Sequence, residues 1–151
     1  MASSTDTKEY ALATRARPDH PPPAPPGLPP DWEAVEAPFV VHHGGYYYLF
    51  VSWDLCCRGT KSTYRTMVGR SKNVTGPYTD EDGKAMLQGG GTQLLTPNQR
   101  WLGPGGESVF MQKGGDDLIV FHAYDAKSGK PALQISTIGW ENGWPHAALQ
   151  Q

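Results

Sequence analysis

Glu36, in Glu36-Ala37-Pro38, is the side chain of this sequence best disposed to handle a proton. A carboxyl group acts as a general acid only if it keeps its proton near neutrality, which takes an apolar setting or a neighbouring negative charge. Ala37, Pro38 and Phe39 follow it, and it stands at the head of a β-branched and aromatic run. From the tripeptide alone, a solvated glutamate before a strand is the commoner reading. An acid also needs a partner, a second and ionised carboxylate that can activate water. Asp6, Glu9, Asp19, Asp31 and Glu33 precede Glu36, but all lie in polar or proline-rich sequence. Asp54 and Asp125 end two similar apolar runs, where a turn or cap role is expected.

Cys56-Cys57 is the next unusual pair. Two cysteines make no disulfide framework, and adjacent ones could join only through a strained eight-membered ring, so two small buried thiols are expected. No cluster of cysteine and histidine completes a tetrahedral metal site. Arg58 follows the cysteines directly and carries a planar set of donors. His122, in Phe121-His-Ala-Tyr124, is expected to be a buried, hydrogen-bonded histidine, with ligand or substrate contact as the alternative. Trp53, Tyr64, Trp101, Tyr124, Trp140 and Trp144 could stack on apolar ring faces, although most are expected to be packing.

The elements that must position these groups read as strand and turn, twice over. Phe39–His43 and Tyr46–Trp53 are β-branched and aromatic runs separated by Gly44-Gly45, a hairpin signal. Thr63–Val68 reads as a third strand, Thr75–Tyr78 and Asp80–Gly83 as turns, with a short outer strand between or after them. A second cycle follows: Ser108–Gln112 and Leu118–Ala123 flank a Lys113–Asp117 turn, and Ala132–Ile138 is the next strand. Tyr46–Asp54 aligns with Asp117–Asp125, and Gly76-Pro-Tyr78 with Gly143-Trp-Pro145, a repeat of roughly 70 residues. Four-stranded units at a fixed spacing predict an all-β fold of stacked antiparallel sheets, with a plain sandwich as the alternative. His146–Gln151 is too short to make a stable helix alone.

The 151 residues suit one domain with a modest core. Aromatics at 11% and 18 glycines fit short strands and tight turns. A net charge of −2 gives no electrostatic case for nucleic acid or an anionic membrane, and no apolar run approaches bilayer-spanning length. Residues 1–31 are a different material: eight of the 14 prolines fall between Pro18 and Pro30, which predicts a disordered tail or linker ahead of a folded region at 32–151. Within it, Tyr10–Arg15 could be an outer strand belonging to a neighbouring unit. The N-terminus lacks the basic and apolar regions of a secretory signal.

Taken in order, Glu36-Ala-Pro38, Tyr46–Gly59, Gly69-Arg-Ser-Lys72, Thr75–Tyr78, Gly89–Thr92, Trp101–Gly105, Phe121–Asp125 and Trp140…Gly143-Trp-Pro145 are more specific than any single motif. Over roughly Trp32 to Pro145 the chain resembles the later part of the endo-α-1,5-L-arabinanases of glycoside hydrolase family 43, which are five-bladed β-propellers. The resemblance implies a partial propeller of about two four-stranded antiparallel blades, and an inverting glycosidase whose substrate is arabinan or a related plant cell-wall polysaccharide. It implies that Glu36 is the general acid and that Arg58, Gly105, Gly106 and His122 contact substrate. The family's general base, and the aspartate that tunes the acid, have no counterpart in this sequence, so the chain alone is expected to be a poor enzyme or none. A non-catalytic half-propeller that binds carbohydrate or assembles with another copy is the alternative. Many relatives carry an ion-binding histidine after Gly-Pro-Gly; Gly106 stands there in this chain, so no metal or other cofactor is expected. The resemblance further implies an extracellular protein, at odds with the missing signal; a truncated gene product, an internal start or a removed signal would each reconcile the two. Exposed blade faces predict self-association.

Overall fold

The computed structural model describes residues 8–15 and 34–150. The proline run therefore lies outside the described residues. β1 (Val35–His43) and β2 (Tyr46–Trp53) form the expected hairpin, with Gly44 and Gly45 both at positive φ, as a two-residue turn of this kind requires. β3 (Arg65–Ser71) and the short β4 (Thr92–Gln93) complete a first sheet in the order β1-β2-β3-β4. β5 (Trp101–Phe110), β6 (Asp117–Asp125), β7 (Pro131–Glu141) and β8 (Trp144–His146) form a second sheet in the order β5-β6-β7-β8. All strand pairs are antiparallel. The repeat is real in space: β2 and β6 are second strands of their sheets, and both sheets end on a short outer strand. The only helical turns among the described residues are the 3-10 segments Gly59–Lys61 and Met86–Gln88; residues 147–150, after β8, are not helical.

β5 is longer than its sequence suggests. Its first half, Trp101-Leu-Gly-Pro-Gly105, looks like a turn, yet it runs as strand through two irregularities, between Leu102 and Gly105 and between Gly105 and Ser108. Such bulges bend a strand without ending it. β5 is also the strand that abuts β1, β2 and β3 of the first sheet.

One core fills the space between the sheets. Val41, Tyr48, Phe50 and Val68 of the first sheet meet Val109, Ile119, Phe121, Ala123 and Ile138 of the second. A second cluster lies on the opposite face of the first sheet, where Leu49, Val51, Trp53 and Met67 pack with Tyr78 and Met86. β2 is thus buried on both faces, which explains its nearly unbroken apolar sequence. Leu12 and Ala13 cover this second cluster. They are held by a hydrogen bond from Thr14 N–H to Met86 O at 3.0 Å, and by Arg15, which lies over Trp53 and donates to Asp54 at 3.0 Å.

Candidate active site

Glu36 opens β1 opposite Ser52 of β2, and the pairing slips immediately afterwards, between Glu36 and Phe39. Ala37 takes positive φ there, a costly conformation for a residue with a Cβ. Glu36 itself stays in register with Ser52, and its side chain is exposed. Tyr64, buried just before β3, donates its hydroxyl to Glu36 Oε2 at 2.7 Å. The apolar surroundings expected for Glu36 are therefore not what the chain supplies; an exposed carboxylate gripped by a buried phenol is. Burial and the adjacent Glu36 together hold the Tyr64 hydroxyl well above the ordinary tyrosine range, so it remains a donor at all physiological pH.

The four residues expected to contact substrate are distributed around this pair. Gly105 is buried, with the Tyr64 ring so close that a Cβ would run into it. Its first duty is this close approach. Gly106 is exposed at φ +66°, and its N–H donates to Ser52 Oγ at 2.8 Å. His122, paired with Gly105 across β5 and β6, is half-buried beside Tyr64, with ring centroids 5.7 Å apart. Desolvation pushes its pKa down, favouring a neutral imidazole. Tyr124 Oη accepts the Cys57 N–H at 2.7 Å and lies 3.2 Å from His122 Nε2, so its own proton is available to that nitrogen. Arg58 sits on the turn after β2, its N–H bonded to Ser62 Oγ at 3.0 Å. The β5–β6 edge thus gathers Glu36, Gly105, Gly106 and His122 around Tyr64, and the Cys57–Tyr124 contact links the turn carrying Arg58 to the same edge.

Cys56 and Cys57 are disulfide-bonded to each other, against the expectation of two buried thiols. Cys57 is exposed and at positive φ. The left-handed residue brings the neighbouring sulfurs together, a backbone feature that spacing alone does not reveal.

Sequence reasoning passed over Glu107. It is 3% exposed, its Oε2 accepts the Ser52 hydroxyl at 2.6 Å, and Thr66 Oγ1 stands at 3.4 Å. Its Oε1 is buried without a partner. Desolvation, only partly offset by these hydrogen bonds, raises its pKa from 4.5 to about 7. A signal did exist: Gly105, Glu107 and Val109 share the inward parity of β5, and an acid at a core position is rarely idle. On acidity alone Glu107 would make the better proton donor. Burial, however, keeps it from touching a polymer, whereas Glu36 is open.

A cation on the axis fits poorly here. At Gly106 a Cβ would stand 2.9 Å from His122 Nδ1 and 3.1 Å from Cε1, so the room a liganding side chain would need is taken by the His122 ring. Among the described residues no group of three or more histidine, cysteine or acidic side chains could hold a metal.

Comparison with known proteins places this geometry. The sequence profile described as glycosyl hydrolases family 43 matches residues 8–145. The extracellular endo-α-(1→5)-L-arabinanase 1 of Bacillus subtilis (strain 168) is 50% identical over 113 residues, covering 74% of this chain and 34% of the relative. The extracellular exo-α-(1→5)-L-arabinofuranosidase ArbA of Cellvibrio japonicus (strain Ueda107) is also 50% identical over 113 residues, covering 74% of this chain and 32% of the relative. The structure of Cellvibrio cellulosa α-L-arabinanase complexed with arabinohexaose superposes with a TM-score of 0.76 at 39% identity, covering 91% of this chain and 43% of that one. The chain spans about a third of the length of these curated relatives. Its two four-stranded sheets are two blades of a β-propeller, and the chain belongs to glycosyl hydrolases family 43.

Proposed function

We propose that this chain is the acid-bearing part of an inverting endo-α-1,5-L-arabinanase, with Glu36 as the general acid. The observation that carries the reading is Glu36 itself: a carboxylate near the head of its strand, just before a bulge, open to solvent, and fixed on one oxygen by Tyr64. Its other oxygen is left to address the glycosidic oxygen of a bound chain. Inversion needs a second carboxylate on the opposite side of the sugar, separated by about 6.5–9.5 Å so that a water fits between them. Glu107 cannot serve, because it is buried behind Ser52. The base that the family resemblance calls for has no counterpart in this sequence, so the chain assayed by itself is inactive on arabinan. Arg58 and the exposed edge at Gly106 and His122 contact the sugar hydroxyls. The relatives' names, and the arabinohexaose complex, support a linear arabinan substrate met outside the cell.

Fusing the chain to the preceding part of the Bacillus subtilis relative tests the reading. The fusion is expected to hydrolyse linear arabinan where the isolated chain does not. A correctly folded fusion with no activity would overturn it. The second reading, a half-propeller that assembles through an open blade face, is favoured by one observation: Phe110, Leu133 and Ile135 stand exposed on the second sheet.

A further inference from the structure

We propose that Tyr64 is a positioning residue for the acid Glu36, and that Gly105 of the second blade is the seat that aims it. The inference rests on Glu36 being the acid, and it adds which oxygen carries the proton and what holds it in place. Tyr64 donates its hydroxyl to Glu36 Oε2 at 2.7 Å. In a protonated carboxyl group the carbonyl oxygen is the better acceptor, so this bond assigns the acid's own proton to Oε1. Oε1 gives that proton to the glycosidic oxygen as the bond from that oxygen to the anomeric carbon breaks, and the electron pair stays with the departing oxygen. The charge left behind spreads over both oxygens of Glu36. The bond from Tyr64 then ends on a carboxylate, becomes charge-assisted and is roughly twice as strong. It therefore favours the transition state over the bound substrate.

Both blades hold Tyr64. Its backbone is fixed by the first: Thr63 N–H bonds to Leu55 O at 2.9 Å, while Arg65 pairs with Trp53 and donates from Nε to Asp54 Oδ2 at 3.1 Å. Its ring is seated on the second. A Cβ at Gly105 would collide with Cδ1 of the ring and stand 2.8 Å from Cε1 and 2.9 Å from Cγ. Gly105 is not among the glycines at positive φ, so the position requires space and not an unusual backbone. His122, its partner across β5 and β6, lies beside the same ring, with centroids 5.7 Å apart. The hydroxyl sits at the far end of a rigid ring, so a tilt at Cγ displaces it more than any other atom of the side chain. The aim of the acid on the first blade therefore depends on a missing side chain on the second.

The full chain tests the geometry without activity. With carbon-13 at the glutamate carboxyls, the Glu36 NMR signal is the one absent from Glu36→Gln. Tyr64→Phe and Gly105→Ala are each expected to shift that signal. Gly139→Ala, on the same blade but with only His146 O at 4.0 Å from the new Cβ, should leave it in place. In the active fusion, Tyr64→Phe is expected to lower kcat on linear arabinan by about 10- to 100-fold, the effect of losing one hydrogen bond to a charged group, with KM little changed. On an aryl arabinofuranoside with a good leaving group the same variant should lose far less, because little protonation is needed there. A phenol that only packed the core would lower both activities alike. Gly105→Ala should reproduce the split, and added to Tyr64→Phe it should cost nothing further on arabinan, since no hydroxyl is left to displace. Tyr64→Phe keeps the ring, so it decides the proposal even where Gly105→Ala fails to fold. A Glu36 signal unmoved by Tyr64→Phe, or equal losses on the two substrates, overturns the proposal. A further loss from Gly105→Ala in the Tyr64→Phe background overturns the part given to Gly105. A wild-type fusion without activity would instead count against Glu36 as acid, and the carboxyl signal of the chain itself would still decide whether Tyr64 and Gly105 position it.

Discussion

The outer faces of the two blades are finished differently. On the first, Leu12 and Ala13 lie across Leu49, Val51, Trp53 and Met67, and Arg15 locks the segment to Asp54. On the second, Phe110, Leu133 and Ile135 face solvent, Leu133 with 72% of its surface accessible. The blades are alike in topology, so the difference is not one of fold; it lies in whether a neighbouring stretch of chain covers the face. A propeller blade is designed to be covered on both sides, and an uncovered one presents apolar surface and strand edges to whatever it meets.

A second contrast follows from the repeat. Asp54 and Asp125 close equivalent strands, yet Asp54 is buried between Arg15 and Arg65, while Asp125 caps its own turn by accepting from Lys127 N–H, Ser128 N–H and the Ser128 hydroxyl. Those turn bonds, led by the one from Ser128 N–H, hold the Asp125 carboxyl below the usual range. One aspartate ties segments together; the other shapes a loop.

The largest effect should come where the blades are most alike. Phe50 and Phe121 face each other's sheets in the shared core, and either changed to alanine is expected to cost about 3–5 kcal/mol, measured by urea denaturation. A difference of more than about 2 kcal/mol between the two would show that these equivalent positions of the repeat carry unequal shares of the core.

Glu107, on the second blade but bonded to Ser52 of the first, makes stability depend on pH. Its folded pKa of about 7 lies above the ordinary 4.5, so the folded state binds the extra proton between those values. The stability it contributes is fully present below about 4.5 and is lost as pH rises to about 7, a change of up to roughly 3 kcal/mol. Glu107→Gln is expected to remove that slope and to leave the chain more stable than wild type at pH 8. Melting curves from pH 4 to pH 8 check it.

How much of this could be read in advance varies with the kind of constraint. The Gly44-Gly45 hairpin was legible because alternation and positive-φ glycines are local. The first half of β5 was not, since Gly103, Pro104 and Gly105 look like a turn until the Tyr64 ring is seen lying on Gly105. Tyr10–Arg15 has no periodicity of its own, and its place is fixed by distant partners, Met86, Trp53 and Asp54. Glu36 stood out through its motif, whereas its grip by Tyr64, and the bond from Ser52 to the buried Glu107, join residues far apart in sequence. Strand parity offered the one local hint of Glu107.

Smaller effects sharpen the aspartate contrast. Asp54→Asn should cost about 1 kcal/mol, because Arg15 and Arg65 are both partly exposed and screened. Asp125→Asn should lower the melting temperature by less, and a larger loss at Asp125 than at Asp54 would reverse the assignment of roles. The smallest change in folding stability is expected for Leu133→Lys with Ile135→Lys, within about 0.5 kcal/mol per site. If the open face drives association, the same double variant shifts the chain toward monomer in sedimentation velocity. A wild-type chain that is already monomeric at high concentration would contradict that use of the face.

The central claim is that the first blade carries the acid at Glu36, and leaving-group dependence in the active fusion tests it most directly. Glu36→Gln keeps the shape but has no proton to donate. On linear arabinan, whose leaving sugar needs protonation, hydrolysis is expected to fall by about 100-fold or more. On an aryl arabinofuranoside with a good leaving group, the same variant should lose far less. Full activity of Glu36→Gln on arabinan, or an equal loss on both substrates, would contradict the account.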